Sequence, residues 1–472
     1  MATNTTSTHM SDNDTEKGTE LRQIYVGTLR DLPPDPDAHL SGHEHAAIDK
    51  KLVWHLDLMM IPWLSLLYLL AFLDRTNIGN AKISGLTLPS SQGGININTQ
   101  QYNSSLTIFF VSYAVFEPLT NILLKRMRPS IFIPIIIREE FGVRAAIFFS
   151  AAALSGSFGG LLAAAIEKMD GIRDRPGWAW IFILEGLATV IIGFISFWMV
   201  HDFPDDAKFL SADDRARVIR RLKLDQQSSA SHEEFTMRYF WQGWYDWKMW
   251  LGMVIYMGCD MPLYAFSLFL PTIVKNLKLP GTIGTGTRAT IMSQLYTVPP
   301  YAGAAIMTVV VGLIADRTKA RGICNISVSI VGIAGFTMLL ATSNPGVQYA
   351  GTFLGALGIY PCIANTITWM ANNIEGVYKR GVVIGFVIGW GNLNGIVSSN
   401  IYFQGERYFQ GHGVVLAYLV LFLLGGSVLM TLGLRRENKR RRDGKRDYWA
   451  DGKTVRELEQ MGDQRPDFFY TT

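Results

Sequence analysis

Charge is what this sequence has least of. Asp, Glu, Lys and Arg make up 17% of its 472 residues, well below the roughly one quarter usual in soluble domains. Cysteine is scarcer still. Cys259, Cys324 and Cys362 all stand inside apolar stretches, where small packing residues are expected, and this excludes a disulfide-stapled secreted chain. The first 50 residues contain no apolar core and so no signal peptide; rich in Ser, Thr and Asp, they read as a disordered cytoplasmic tail. The sequence shows no phosphate-cradling loop, metal cluster or nucleophile triad, so no constellation favours an enzyme, and no cofactor is expected.

The missing charges are missing in blocks. Residues 58–73 carry none, 104–124 and 178–200 carry one each, and 322–374 carry none. A bilayer core about 30 Å thick needs roughly 20 apolar helical residues at about 1.5 Å each. The blocks therefore predict an all-α polytopic membrane protein with about ten spans: 52–88, 104–124, 145–166, 178–200, 249–274, 294–315, 322–342, 346–370, 381–402 and 413–434. Pro118, Pro262, Pro271, Pro299 and Pro361 fall within spans, where neighbouring helices can satisfy the freed carbonyls.

Basic residues collect in alternate connections: Lys125, Arg126, Arg128, Arg138 and Arg144, then Arg317, Lys319 and Arg321, then Lys379 and Arg380. This asymmetry predicts both termini on the cytoplasmic side. The organisation expected is a tail at 1–50, a bundle of four spans at 51–200, a central cytoplasmic loop at 201–248, a bundle of six spans at 249–434 and a basic tail at 435–472. Ser211, Asp213 and Asp214 open an amphipathic helix in the central loop, with Val218, Ile219 and Leu222 as its apolar stripe. The run KRRRDGKR at 439–446 directly follows a span, so an anchor on anionic lipid is favoured over nucleic acid.

Three strings carry a resemblance: FLDRTNIGNAKISGL at 72–86, GLIADRTKARG at 312–322 and WMANNIEGVYKRGVVIGFVIGWGNLNG at 369–395. With GWAWIFILEG at 177–186 and YAFSLFLPTIV at 264–274, the chain resembles the major facilitator superfamily, in the allantoate-permease branch of its anion:cation symporters. The resemblance implies a major-facilitator-like bundle of twelve helices, six per half. Here the third and fourth are missing: after Arg128, the apolar stub at 131–137 reaches about 10 Å, a third of a bilayer. Residues 278–292 form a second departure, longer than the family's usual approach to its eighth helix. A mis-spliced transcript or faulty gene model would leave both marks, which sequencing the cDNA tests.

Asp74 and Arg75 are the leading site candidates, because ionisable groups at membrane depth are costly unless functional. An Arg fork suits a substrate carboxylate, and a partly desolvated Asp can load and release a proton. The resemblance implies those same roles, proton coupling for Asp74 and anion binding for Arg75; a solvated interfacial salt bridge is the bland alternative. Asn77 and Asn80 extend one polar face with Asp74. Asn392, Asn394, Trp390 and Tyr264 are candidate substrate contacts, against helix–helix glue for the amides and packing for the rings. Glu185 is a second proton-coupling candidate, and Glu117 and Asp260 are further lone acids in spans. Gly312, Asp316, Arg317 and Arg321 match the superfamily's signature loop, which implies a gate; an ordinary charged turn is the alternative.

The function expected is proton-coupled uptake of a small organic anion by alternating access, with allantoate, ureidosuccinate, nicotinate or a similar carboxylate as substrate. A monomer in the plasma membrane is expected. The alternative is a transport-inactive truncated isoform or gene-model artefact, serving as a sensor or non-transporting partner.

Overall fold

A long apolar segment satisfies its backbone groups internally by coiling into a helix, and the chain does so repeatedly. The computed structural model describes residues 36–37, 39, 41–126, 141–199, 210–225, 237–284, 286–402, 408–454, 457–458 and 461–472. Its α-helices are α1 (Gly42–Ala81), α2 (Thr99–Arg126), α3 (Phe141–Ile166), α4 (Gly177–Met199), α5 (Ala212–Asp225), α6 (Met237–Trp244), α7 (Trp247–Asn276), α8 (Thr287–Leu295), α9 (Val298–Thr318), α10 (Arg321–Ala341), α11 (Pro345–Asn372), α12 (Val377–Leu393), α13 (Gly395–Asn400), α14 (Phe409–Ala417) and α15 (Gly425–Arg442). π-helical turns extend α1 through Lys82–Leu86 and join α14 to α15 through Tyr418–Leu424.

Among the described residues, nine helical stretches are long and apolar enough to cross a membrane: His43–Leu86, Gly142–Met169, Gly177–Ser196, Trp247–Asn276, Thr287–Thr318, Arg321–Ala341, Pro345–Asn372, Tyr378–Asn400 and Phe409–Arg442. The remaining expected span, 104–124, falls within α2, whose 28 residues reach about 42 Å. The side chains of 117–126, Glu117 included, lie outside the described residues.

α1 starts at Gly42, inside the segment expected to be tail, because Ser41 and Glu44 close a capping box. Its first turns pack Leu52 and Leu56 against Leu210 and Val218 of the α5 region. Arg217 binds Asp37 there at 2.7 Å, and Ser211 Oγ accepts the Asp214 N–H at 3.1 Å.

α7 keeps its course through Pro262 and Pro271. Pro271 has no N–H, so the Ser267 carbonyl loses its helical donor; the Tyr301 hydroxyl of α9 donates to it instead at 3.5 Å. Two groups of helices, α1–α4 and α7–α15, meet where α3 lies against α9, α2 against α12 and α13, and α1 against α7. The α1–α7 approach depends on Gly79, where a Cβ would stand 2.6 Å from the Leu268 carbonyl oxygen. α4 is the outermost of these spans: Phe182, Leu187, Val190, Phe194 and Trp198 are exposed, as suits a lipid-facing helix.

The 131–137 stub lies outside the described residues. The second departure folds as a turn with left-handed Gly281 and Gly284 leading into α8, its Leu279 buried in the core. Beyond α15, residues 461–472 fold back onto the bundle, where Lys248 and Lys379 hold Asp463 and Trp369 donates to the Thr471 carbonyl.

Candidate functional site

A cavity of about 200 Å³ lies between the two groups of helices. From the first it takes Tyr68, Phe72 and Arg75 of α1, Tyr113 of α2, and Phe148, Phe149 and Ala152 of α3. From the second it takes Tyr256, Asp260, Leu263 and Tyr264 of α7, Tyr360, Ile363 and Ile367 of α11, and Ile388 and Asn392 of α12. Half of these side chains are aromatic, so the wall is apolar with a few placed polar groups, the usual make-up of a small-molecule site.

Arg75 is the cationic feature of the wall. Its Nη1 donates to the Tyr264 hydroxyl at 2.6 Å, and that hydroxyl donates to Asn392 Oδ1 at 2.8 Å. The guanidinium carbon lies 4.9 Å from the Tyr113 ring centre and 5.3 Å from those of Phe72 and Tyr264, within cation–π range. Arg75 Nε is buried with no hydrogen-bond partner among the described residues. An unmet buried donor costs about 1–3 kcal/mol, which an anion in the cavity would recover.

The structure brings together Arg75, Tyr264 and Asn392 and separates the other expected site residues from them. Asp74 is exposed on a different face of α1, near Thr189 and Glu185 of α4. Successive helical residues are about 100° apart, so one member of the pair faces the cavity and the other does not. Glu185 is buried and accepts a hydrogen bond from Asn77, outside the cavity lining. Asn394 is glue between helices: it donates to the Trp390 carbonyl at 2.8 Å and accepts from Tyr418 at 3.2 Å. Trp390 is 44% exposed, its indole on Met257 Sδ at 3.2 Å. Asp260 instead lines the cavity, 4% exposed, together with Arg75. Sequence reasoning left its role open and missed Tyr68, Tyr113, Tyr256 and Tyr360, because aromatics in a span carry no sign of which way they face.

At the end of the bundle bearing the basic connections, Asp316 pairs with Arg321, which also donates to Asn365 Oδ1 at 3.0 Å. Asp316 and Arg321 abut Gly142 in the first turn of α3, where the helix dipole favours an acid. Gly312 lies against Ala146 of the same helix, whereas Arg317 is exposed. Arg144, two residues beyond Gly142, binds Asp57 of α1 at 2.6 Å. At the opposite end Gln294 donates to Ser84 at 3.1 Å and Asn400 to Thr107 at 2.8 Å. Contacts between the groups thus bridge both ends of the cavity.

Membrane-length helices packed around an internal cavity define an integral membrane transporter. Residues 138–399 match the family model of the Major Facilitator Superfamily, and the chain belongs to that family. It is 30% identical to an uncharacterized transporter of Schizosaccharomyces pombe over 85% of this chain and 89% of that one. It is 27% identical to the high-affinity nicotinic acid transporter of Saccharomyces cerevisiae, over 97% of this chain and 90% of that one. Among solved structures, it aligns with a bacterial homolog to the human lysosomal transporter Spinster at a TM-score of 0.46 and 14% identity, covering 78% of this chain and 95% of that one.

Proposed function

We propose that this protein imports a small organic anion across the plasma membrane by proton-coupled alternating access, with both termini in the cytoplasm and the monomer as the working unit. The observation that carries the reading is Arg75, a cation in a buried aromatic cavity with an unmet Nε donor. A carboxylate fits that fork, and ring walls favour a flat substrate over a long flexible one. The nicotinic acid transporter among the relatives agrees with that chemistry. The loop holding Gly312, Asp316 and Arg321 against α3 acts as the cytoplasmic latch, released when the bundles rock. Anionic lipid at the cytoplasmic face is the partner of the basic residues around it, a reading supported by the exposure of Arg317.

The test is acid-stimulated uptake of labelled nicotinate, allantoate and ureidosuccinate in a permease-deficient host. Uptake of at least one, lost on Arg75→Ala with surface expression kept, is expected. A non-transporting role is favoured by one observation, the exposure of Asp74 on a span. Surface-expressed protein that takes up none of the three would select that role.

A further inference from the structure

We propose that Asp260, facing the same cavity as Arg75, is the proton-carrying group that couples anion binding to protons. The inference rests on the anion-uptake reading above and assigns its coupling to a residue of α7 in place of Asp74 or Glu185. The cavity wall places one guanidinium and one carboxyl around one space of about 200 Å³. The ionisable groups around Asp260 are Arg75 and Tyr68 of α1, Tyr113 of α2, Tyr360 of α11, and Tyr256, Cys259 and Tyr264 on its own helix. Phenols and thiols with ordinary values of about 8.5 and above stay neutral from pH 5 to 7. Arg75 and Asp260 are then the two side chains of this wall that carry charge.

The charge balance follows directly. In the empty site, the guanidinium and the Asp260 carboxylate sum to zero. A substrate carboxylate entering alone would leave two negative charges against one positive in a largely apolar space, where such an excess is poorly tolerated. Protonating Asp260 restores neutrality, so one anion and one proton enter together; the same proton leaves Asp260 when the anion departs on the other side. The carboxyl lies inside the packed wall. Asp260 is buried at 4% exposed, and a Cβ added at Gly391 of α12 would stand 3.0 Å from its Oδ2. Asp74, by contrast, is exposed on another face, and Glu185 is engaged by Asn77.

The experiment is equilibrium binding of labelled nicotinate and benzoate to the purified full-length chain in lipid nanodiscs between pH 5 and 8. In the wild type, Kd is expected to weaken by about tenfold per pH unit once Asp260 is ionised in the empty site, as one linked proton requires. Asp260→Asn, fixed in the neutral form, is expected to bind with the wild type's acid-limit affinity at every pH. Asp260→Ser serves as a second neutral variant if Asn does not fold, and Asp260→Glu is expected to restore the slope. A slope retained in the neutral variants overturns the proposal and leaves anion binding standing, as does a slope abolished by Asp74→Asn or Glu185→Gln instead. Neutral variants that melt like wild type yet bind neither probe also overturn it. A wild type that binds neither probe overturns the anion reading and this one with it.

Discussion

The folded-back C-terminal segment offers a prediction whose size can be worked from the structure. Asp463 is fully buried between Lys248 Nζ at 2.5 Å and Lys379 Nζ at 2.8 Å, and both lysines also reach Asp246, at 3.1 and 2.7 Å. Burial opposes ionisation of Asp463, but the two ammonium groups outweigh it and hold the carboxyl down at about 2. Asp463→Asn leaves two buried lysines sharing Asp246. Removing one partner of a buried ion pair costs about 3–5 kcal/mol. Because Asp246 stays, the lower end applies, roughly a 150-fold loss in the ratio of docked to released segment. A carboxyl held below its ordinary 3.8 contributes stability that is present above that value and lost only as pH falls through about 2. Docking in the wild type is therefore expected to be constant from pH 5 to 8. The assay is chymotrypsin digestion of the full chain in detergent, following cleavage after the buried Phe468 by mass spectrometry. Faster cleavage in Asp463→Asn, with wild-type protection flat over that range, is expected. Equal protection of variant and wild type, or release of the wild-type segment between pH 5 and 7, would refute the reasoning.

Tyr264→Phe removes the hydroxyl that joins Arg75 to Asn392; a hydrogen bond to a charged group is worth about 1.5–3 kcal/mol, so anion affinity should fall by tenfold or more in the binding assay. Asn392→Ala should impair uptake and Trp390→Ala should not, since Asn392 lines the cavity and Trp390 faces outward; equal effects would contradict the cavity's position. Tyr301→Phe strips the Ser267 carbonyl of its donor and should cost about 1 kcal/mol in thermal stability, a loss that Pro271→Ala should offset by restoring the helical N–H. Gly79→Val forces a side chain onto the Leu268 carbonyl oxygen, and overpacking of that kind costs about 1–3 kcal/mol, read as a lower melting temperature in detergent.

The charged loop at 312–322 shows how local sequence and tertiary placement share the work. Asp316, Arg321 and Gly312 are legible as a string, because GLIADRTKARG at 312–322 resembles the superfamily's signature loop. That its acid faces the first turn of α3 depends on a helix more than 150 residues away, which no local pattern encodes. The basic run at 439–446 divides in the same way. Arg441 is buried, donating to the carbonyls of Arg465, Phe468 and Asp463, while Lys439, Arg440, Arg442 and Lys445 stay exposed. Arg446 pairs with Glu437 at 2.8 Å. A lipid anchor and a buried anchor for the chain's own last residues read alike until the fold supplies the partner.

The sequence by itself determined the helices, their ends to within a few residues for most spans, because hydrophobic length and charge-free blocks are properties of each segment alone, and a few local strings carried the family resemblance. It also singled out Arg75 as a site candidate, since a cation inside an apolar span is costly. Only the tertiary structure decided which neighbours share a cavity with it. Asp74 and Arg75 are adjacent in the chain and face apart, whereas Asp260 is 185 positions away and lines the same space. Helical rotation of about 100° per residue separates neighbours, and bundle packing joins strangers; both act on direction, which a linear sequence does not carry.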